Sequence, residues 1–123
     1  MAASAALKTF ATDSERDVSL GRPVDLVHLA RHTLGNRDLE QEVLRLFVRQ
    51  SVVFLDRMKA AGDQRLRANA AHTIKGSARG IGAWQVAEHA EVVEGCDTAS
   101  SLQALEGAID EANAYINSLL ETE

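Results

Sequence analysis

The chain predicts an all-α fold, an antiparallel four-helix bundle with a short additional N-terminal helix. Three observations lead there. Ala and Leu dominate the apolar residues while aromatics make up only 4% of the 123 residues, a composition that suits closely packed helices better than a pleated sheet. The single proline is Pro23, so no later helix needs to break. Beyond it, apolar residues recur every three or four positions, and no stretch shows the period of two of a half-buried strand. A chain of this length supports one domain with one core. That domain reads as residues 23–123, preceded over residues 1–22 by a mobile N-terminal arm rich in Ala and Ser and then charged. There is no internal repeat.

Taken in order, Val24, Val27, Ala30 and Leu34 mark a short amphipathic helix closed by Gly35. A second helix starts near Asn36 to Asp38, with Asp38 and Gln41 at capping-box spacing, and runs to about Ala61. Its inner stripe is Val43, Phe47, Ser51, Phe54 and Met58, widened by Leu44, Leu46, Val53 and Leu55. Val48 and Val52 project to another side, where they can meet the first helix, the arm or a partner. Gly62 ends this helix and Asp63 caps the third, which reaches Gly80 to Gly82 with Leu66, Ala70, Ile74, Ser77 and Ile81 on one stripe. Trp84 to Glu94 form a fourth helix with Val86, Ala87, Ala90 and Val93 inward. Ser100 and Gln103 supply capping-box spacing for the last helix. Its Leu102, Leu105, Ile109, Ala112, Ile116 and Leu119 alternate by three and four, as a bundle seam does.

Charge and cysteine content narrow the function classes. The net charge of −5 argues against nucleic acid as a general partner. One cysteine, Cys96, excludes an intramolecular disulfide. No apolar run is long enough to span a membrane, and the N-terminus lacks the apolar core of a signal peptide, so the expected location is cytoplasmic. No P-loop, glycine-rich nucleotide motif or Ser/His/Asp set is present. The charges are unevenly spread. Residues 57–79 carry six basic side chains and one acidic one, whereas residues 83–123 carry nine acidic and none of Lys or Arg.

The basic region surrounds one histidine. At about 100° per residue, His72 points opposite to the apolar stripe of the third helix, with Arg65, Ala68, Gly76 and Arg79 near it. It should therefore face water or a partner. Lys75, one turn on, can place an ammonium beside a group attached to the imidazole. Gly76 removes the side chain that would block an approaching surface, although glycine inside a helix costs roughly 1 kcal/mol. Arg79 adds a second cation.

His72-x-x-Lys75-Gly76-Ser77, followed by Ile81-Gly82-Ala83, resembles the motif of histidine-containing phosphotransfer (HPt) domains. The resemblance implies a four-helix bundle that carries a phosphoryl group on one exposed histidine between aspartates of response-regulator receiver domains. It further implies that His72 is the acceptor, with Lys75 and Arg79 offsetting phosphate charge and Gly76 giving the partner access. Glu94 falls where the family places a Gln or Glu that orients the ring. The expected partners are receiver domains, including that of a hybrid histidine kinase, docking on a monomer through Val48, Val52, Ala68, Lys75, Gly76 and Arg79. The chain itself would need no cofactor and have no autokinase activity; Mg²⁺ would sit in the receiver. Two other readings remain: a helical adaptor that is not phosphorylated, and a metal-binding bundle using His28 and His32 with His72 or His89.

Overall fold

In the computed structural model, residues 22–121 are described; of the expected N-terminal arm, only Arg22 falls within them. They form five helices and no strand. These are α1 (Leu26–Thr33), α2 (Arg37–Ala60), α3 (Gln64–Ile81), α4 (Trp84–Gly95) and α5 (Ala99–Glu121). Helix α2 packs against α3 and α5, α4 packs against the same two, and α1 lies on α2 and α3. The core is built from Leu44, Phe47, Leu55 and Met58 of α2, Ala71, Ile74 and Ala78 of α3, Val86, Ala90 and Val93 of α4, and Leu105, Ile109, Ala112 and Ile116 of α5. The most extensive helix–helix contact is between α3 and α4. Ala71, Ala78 and Ala90 are wholly buried there or close by, and such small side chains let two backbones approach closely. That approach lets a long side chain on one helix reach the outer face of the other.

Each boundary has a local cause. Asn36 caps α2 by accepting from the Leu39 amide at 3.0 Å, so the cap lies two residues before the expected Asp38. Asp38 instead sits in the first turn, where its charge meets the positive end of the helix. Asp63 caps α3 through the Arg65 amide at 2.9 Å. Helix α5 is opened by a reciprocal pair: the Ser101 amide donates to Thr98 Oγ1, and the Thr98 amide to Ser101 Oγ, both at 3.0 Å. The capping box is thus Thr98–Ser101 and not Ser100–Gln103. Helix α1 ends on Leu34, which takes a left-handed conformation at φ 56°, followed by Gly35 at φ 74°.

The apolar stripes also differ from expectation in places. Val24 is buried, but it precedes the helix, which starts after Asp25. Counting helical angle from Val24 therefore misphases α1, whose buried residues are Leu29 and Thr33 while Val27 and Leu34 are exposed. In α2, Leu46 and Val53 face solvent, as does Leu66 in α3. They flank the α2–α3 contact, whose outer side is open; Leu46 and Leu66 each line a groove along it.

Two polar devices fix the packing. Across α2 and α5, Asn113 Nδ2 donates to Ser51 Oγ at 3.0 Å within an otherwise apolar seam. At the other end, the Asp25 amide donates to the Gly82 carbonyl at 2.9 Å. Gly82 lies at φ 79°, and a Cβ there would stand 2.8 Å from Asp25 Cβ. Both the left-handed backbone and the close approach require glycine. We expect Gly82→Ala to destabilise the domain by about 1–3 kcal/mol, read as a lowered urea midpoint with the slope unchanged.

Candidate functional site

Helix α3 is held in rotation by Ala71, Ile74, Ala78 and Ile81, all buried. That rotation turns His72 outward, and its side chain is 70% exposed. Gly76, at i+4, lies on the same exposed face, and a Cβ built on it meets nothing within 4 Å. Ala68, one turn before His72, is half-buried, and Arg79, two turns after it, is exposed.

Helix α4 supplies the groups that face this row. The carboxylate of Glu94 is shared. Its Oε2 is 2.6 Å from His72 Nδ1, and its Oε1 is 2.5 Å from Lys75 Nζ. Burial pushes the Glu94 carboxyl up, but hydrogen bonds and charge from Lys75 and His72 outweigh burial and hold it below the ordinary value. It is therefore ionised near neutrality and can only accept. The proton of the contact then belongs to His72 Nδ1, so that in the neutral ring the lone pair lies on Nε2, away from Glu94.

The local cations are mostly engaged. The Lys75 side chain is only 14% exposed, with its ammonium against Glu94. Arg79 lies 3.7 Å from Glu91, one turn back on α4. Arg67 pairs with Asp97 at 2.5 Å and donates to the Ala61 carbonyl, tying together the ends of α2, α3 and α4. Lys59 pairs with Glu106 of α5 at 2.6 Å, and Arg57 lies over the Phe54 ring. The basic cluster of residues 57–79 is thus largely neutralised by the acidic second half of the chain.

The structure brings His72, Lys75, Gly76, Arg79 and Glu94 together along the α3–α4 ridge, with Ala68 at its start. It does not bring Val48 and Val52 beside them. Those residues point about 180° away from Gln50 and Arg57, which line the grooves between α2 and α3. Ser51, next to them in sequence, bonds across to α5.

Sequence reasoning missed the support behind the end of α3. His28 Nε2 donates to the Arg79 carbonyl at 2.9 Å, and its ring stands edge-on to Trp84 with centroids 4.8 Å apart. Trp84 Nε1 donates to Asp25 Oδ2 at 3.1 Å. His32 Nδ1 donates to the His28 carbonyl at 3.0 Å. The i, i+4 histidine pair thus spends one nitrogen of each ring on backbone. No group of three or more His, Cys, Asp or Glu placed to hold a metal ion occurs among the described residues. The partner of His28 is a backbone carbonyl 51 residues away, for which a sequence carries no signal. The Arg79–Glu91 pair did have one, since Glu91 precedes Glu94 by the three residues that keep both on one helical face.

An exposed imidazole with one nitrogen held by a carboxylate and the other open, on an all-helical scaffold, is the arrangement of a histidine phosphocarrier. The comparisons with known proteins agree. The family model described as Hpt domain matches residues 42–122, and the chain belongs to that family. Among solved structures, the crystal structure of histidine phosphotransferase ShpA from Caulobacter crescentus is similar. It is 29% identical with a TM-score of 0.70, over 81% of this chain and 92% of that one. No curated protein matches the chain. Hpt domains are phosphocarriers of phosphorelays and interact with receiver domains. No helix among the described residues is long and apolar enough to cross a membrane.

Proposed function

We propose that this chain is a phosphorelay intermediate in which His72 accepts a phosphoryl group from a receiver-domain aspartate and passes it to the aspartate of another receiver. The observation that carries the reading is the state of the His72 ring: Nδ1 held by Glu94 and Nε2 open to an approaching surface. A neutral imidazole is a competent nucleophile near pH 7. Residues 23–123 act as the phosphotransfer domain, with α2 to α5 as an antiparallel four-helix bundle and α1 as the additional helix. The domain works as a cytoplasmic monomer. Mg²⁺ and the groups that stabilise the transferring phosphoryl belong to the receiver, among them the receiver of a hybrid histidine kinase. The chain needs no nucleotide or metal of its own.

The docking surface we propose is the His72 face with Ala68, Gly76 and Arg79, extended onto the α2–α3 groove where Phe54, Leu66 and Thr73 lie. Thr73 adjoins His72, so a surface seated over the ring also covers this groove. Leu66 is 57% exposed there. Apolar contact of this kind supplies adhesion while permitting fast release.

The test is incubation with each ³²P-labelled phospho-receiver of the same organism, followed by addition of unlabelled receivers. Label should move to this chain as acid-labile, alkali-stable phosphate and then leave to a second receiver. ATP alone should leave the chain unlabelled. If no receiver donates, the proposal is wrong.

A further inference from the structure

The carboxylate of Glu94 stands between two partners, the His72 ring on one oxygen and the Lys75 ammonium on the other. A lone carboxylate beside an imidazole has two opposed effects. By accepting from Nδ1–H it orients the ring and exposes Nε2. By its charge it also favours the imidazolium, in which Nε2 carries a proton and has no lone pair to give. An opposite charge on the second oxygen removes the second effect and keeps the first. We infer that Lys75 is a positioning residue acting through Glu94: it neutralises the carboxylate, so that Glu94 orients the His72 ring without charging it. The inference rests on the phosphocarrier reading and assigns Lys75 a role other than phosphate ligand.

Three observations support it. The Lys75 side chain is 14% exposed and Glu94 22%, so their pair is shielded more than the histidine it serves. The charged groups acting on Glu94 are Lys75 and His72, both on α3. The next charges along the ridge, Arg79 and Glu91, face each other. Within this set Lys75 is the cation that balances Glu94.

The step balances without a mobile proton. The Nε2 lone pair forms the N–P bond as the P–O bond of the partner's aspartyl phosphate breaks, and that bonding pair leaves with the carboxylate. Nδ1 keeps its hydrogen, so the product ring is a phosphoryl-imidazolium facing the Glu94 carboxylate. In the return step the N–P pair goes back to the ring and neutral imidazole departs. A ring that lost the Nδ1 proton would have to leave as imidazolate, a far poorer leaving group. Glu94 therefore serves both directions, provided that its charge is balanced before the phosphoryl group arrives.

Two measurements test this, and they fail independently of each other. The first is the ¹⁵N spectrum of the His72 ring at pH 7 in the unphosphorylated full chain. The ring should be neutral with its proton on Nδ1. Lys75→Met should raise the share of rings protonated on both nitrogens, and adding Glu94→Gln should restore the neutral ring. Lys75→Gln serves as the second variant if Lys75→Met does not fold. An unchanged ring in the folded Lys75 variant overturns the inference, whether or not His72 ever carries phosphate.

The second measurement is a double-mutant cycle on phosphoryl transfer from a receiver. Lys75→Met should slow transfer by about tenfold in the native background, the order seen on losing a partner that orients a metal-ligating histidine. In the Glu94→Gln background the same change should matter by less than about twofold, because the two act as a unit. Equal slowing in both backgrounds would show Lys75 acting directly on phosphate and overturn the inference. Absence of transfer in every variant, native chain included, would instead overturn the phosphocarrier reading and leave the ring measurement to decide the role of Lys75.

Discussion

Replacing His72 with Gln should abolish uptake of acid-labile phosphate while leaving the fold intact. The side chain is 70% exposed and contributes nothing to the core. Substitutions at such positions shift stability by no more than about 0.5 kcal/mol. Transfer, by contrast, should fall to background, because the substitution removes the exposed ring whose Nε2 accepts the phosphoryl group in the proposed function, and a glutamine amide is no nucleophile near pH 7. Circular dichroism and thermal melting report the first half, and labelled transfer followed by acid and alkali treatment the second. Retained acid-labile label in a folded His72→Gln protein would mean that another residue is the acceptor.

Gly76→Gln should separate folding from partner access. Glycine in a helix interior costs roughly 1 kcal/mol relative to a good helix former. Nothing stands within 4 Å of a Cβ at this position. The variant should therefore melt at an equal or higher temperature. A glutamine one turn from His72 would nevertheless stand where the partner's aspartate must come nearly into contact with Nε2. A misplacement of about 1 Å at such a junction costs on the order of 100-fold in rate, and we expect slowing of that order in single-turnover transfer. A stable Gly76→Gln protein that transfers at the native rate would show that the partner approaches from another side.

Much of the fold was legible because the seam residues repeat at helical spacing. In α5, Leu105, Ile109, Ala112 and Ile116 are buried as the three–four alternation requires. In α4, Val86, Ala87, Ala90 and Val93 are buried as read. The errors share a physical origin. Leu46, Val53 and Leu66 are apolar, and a sequence does not distinguish a core leucine from one bordering an open groove. Thr98 and Ser100 are both competent caps, and the choice was made by the chain's path out of α4, where Ser101 Oγ also reaches the Cys96 carbonyl at 2.9 Å.

At the site, helical angle alone indicated that His72 faces outward. It also placed Lys75 near the ring, but not where the ammonium goes. Spacing along one helix reports which residues are neighbours. It does not report that a carboxylate on the next helix takes up the cation, which required the close α3–α4 packing. The same limit applies to the basic cluster, whose surplus charge in the sequence is largely cancelled across helix pairs.

The hydrogen bond between Asn113 and Ser51 has a consequence far from where it lies. An aliphatic seam such as that of α5 specifies its register weakly, since a shift of one turn sets one apolar residue where another stood. Such a shift would strand the Asn113 amide among hydrocarbon, at about 1–3 kcal/mol for an unsatisfied group, while the Ser51 hydroxyl would keep its bond to the Val48 carbonyl in its own helix. The contact thus favours one vertical setting of α5 against α2, as a buried asparagine does in a coiled coil, and the exposed Lys59–Glu106 pair joins the same two helices. Only the short link of Cys96, Asp97 and Thr98 joins α5 to α4, so this setting also limits the height of α4, and with it that of Glu94 opposite His72. Ser51→Ala combined with Asn113→Leu would make the seam uniformly apolar and should raise the melting temperature, yet it would release the chain to sample neighbouring registers. The pair acts as an alignment pin: it gives up cohesion to keep a carboxylate within hydrogen-bonding distance of a ring on the other side of the protein.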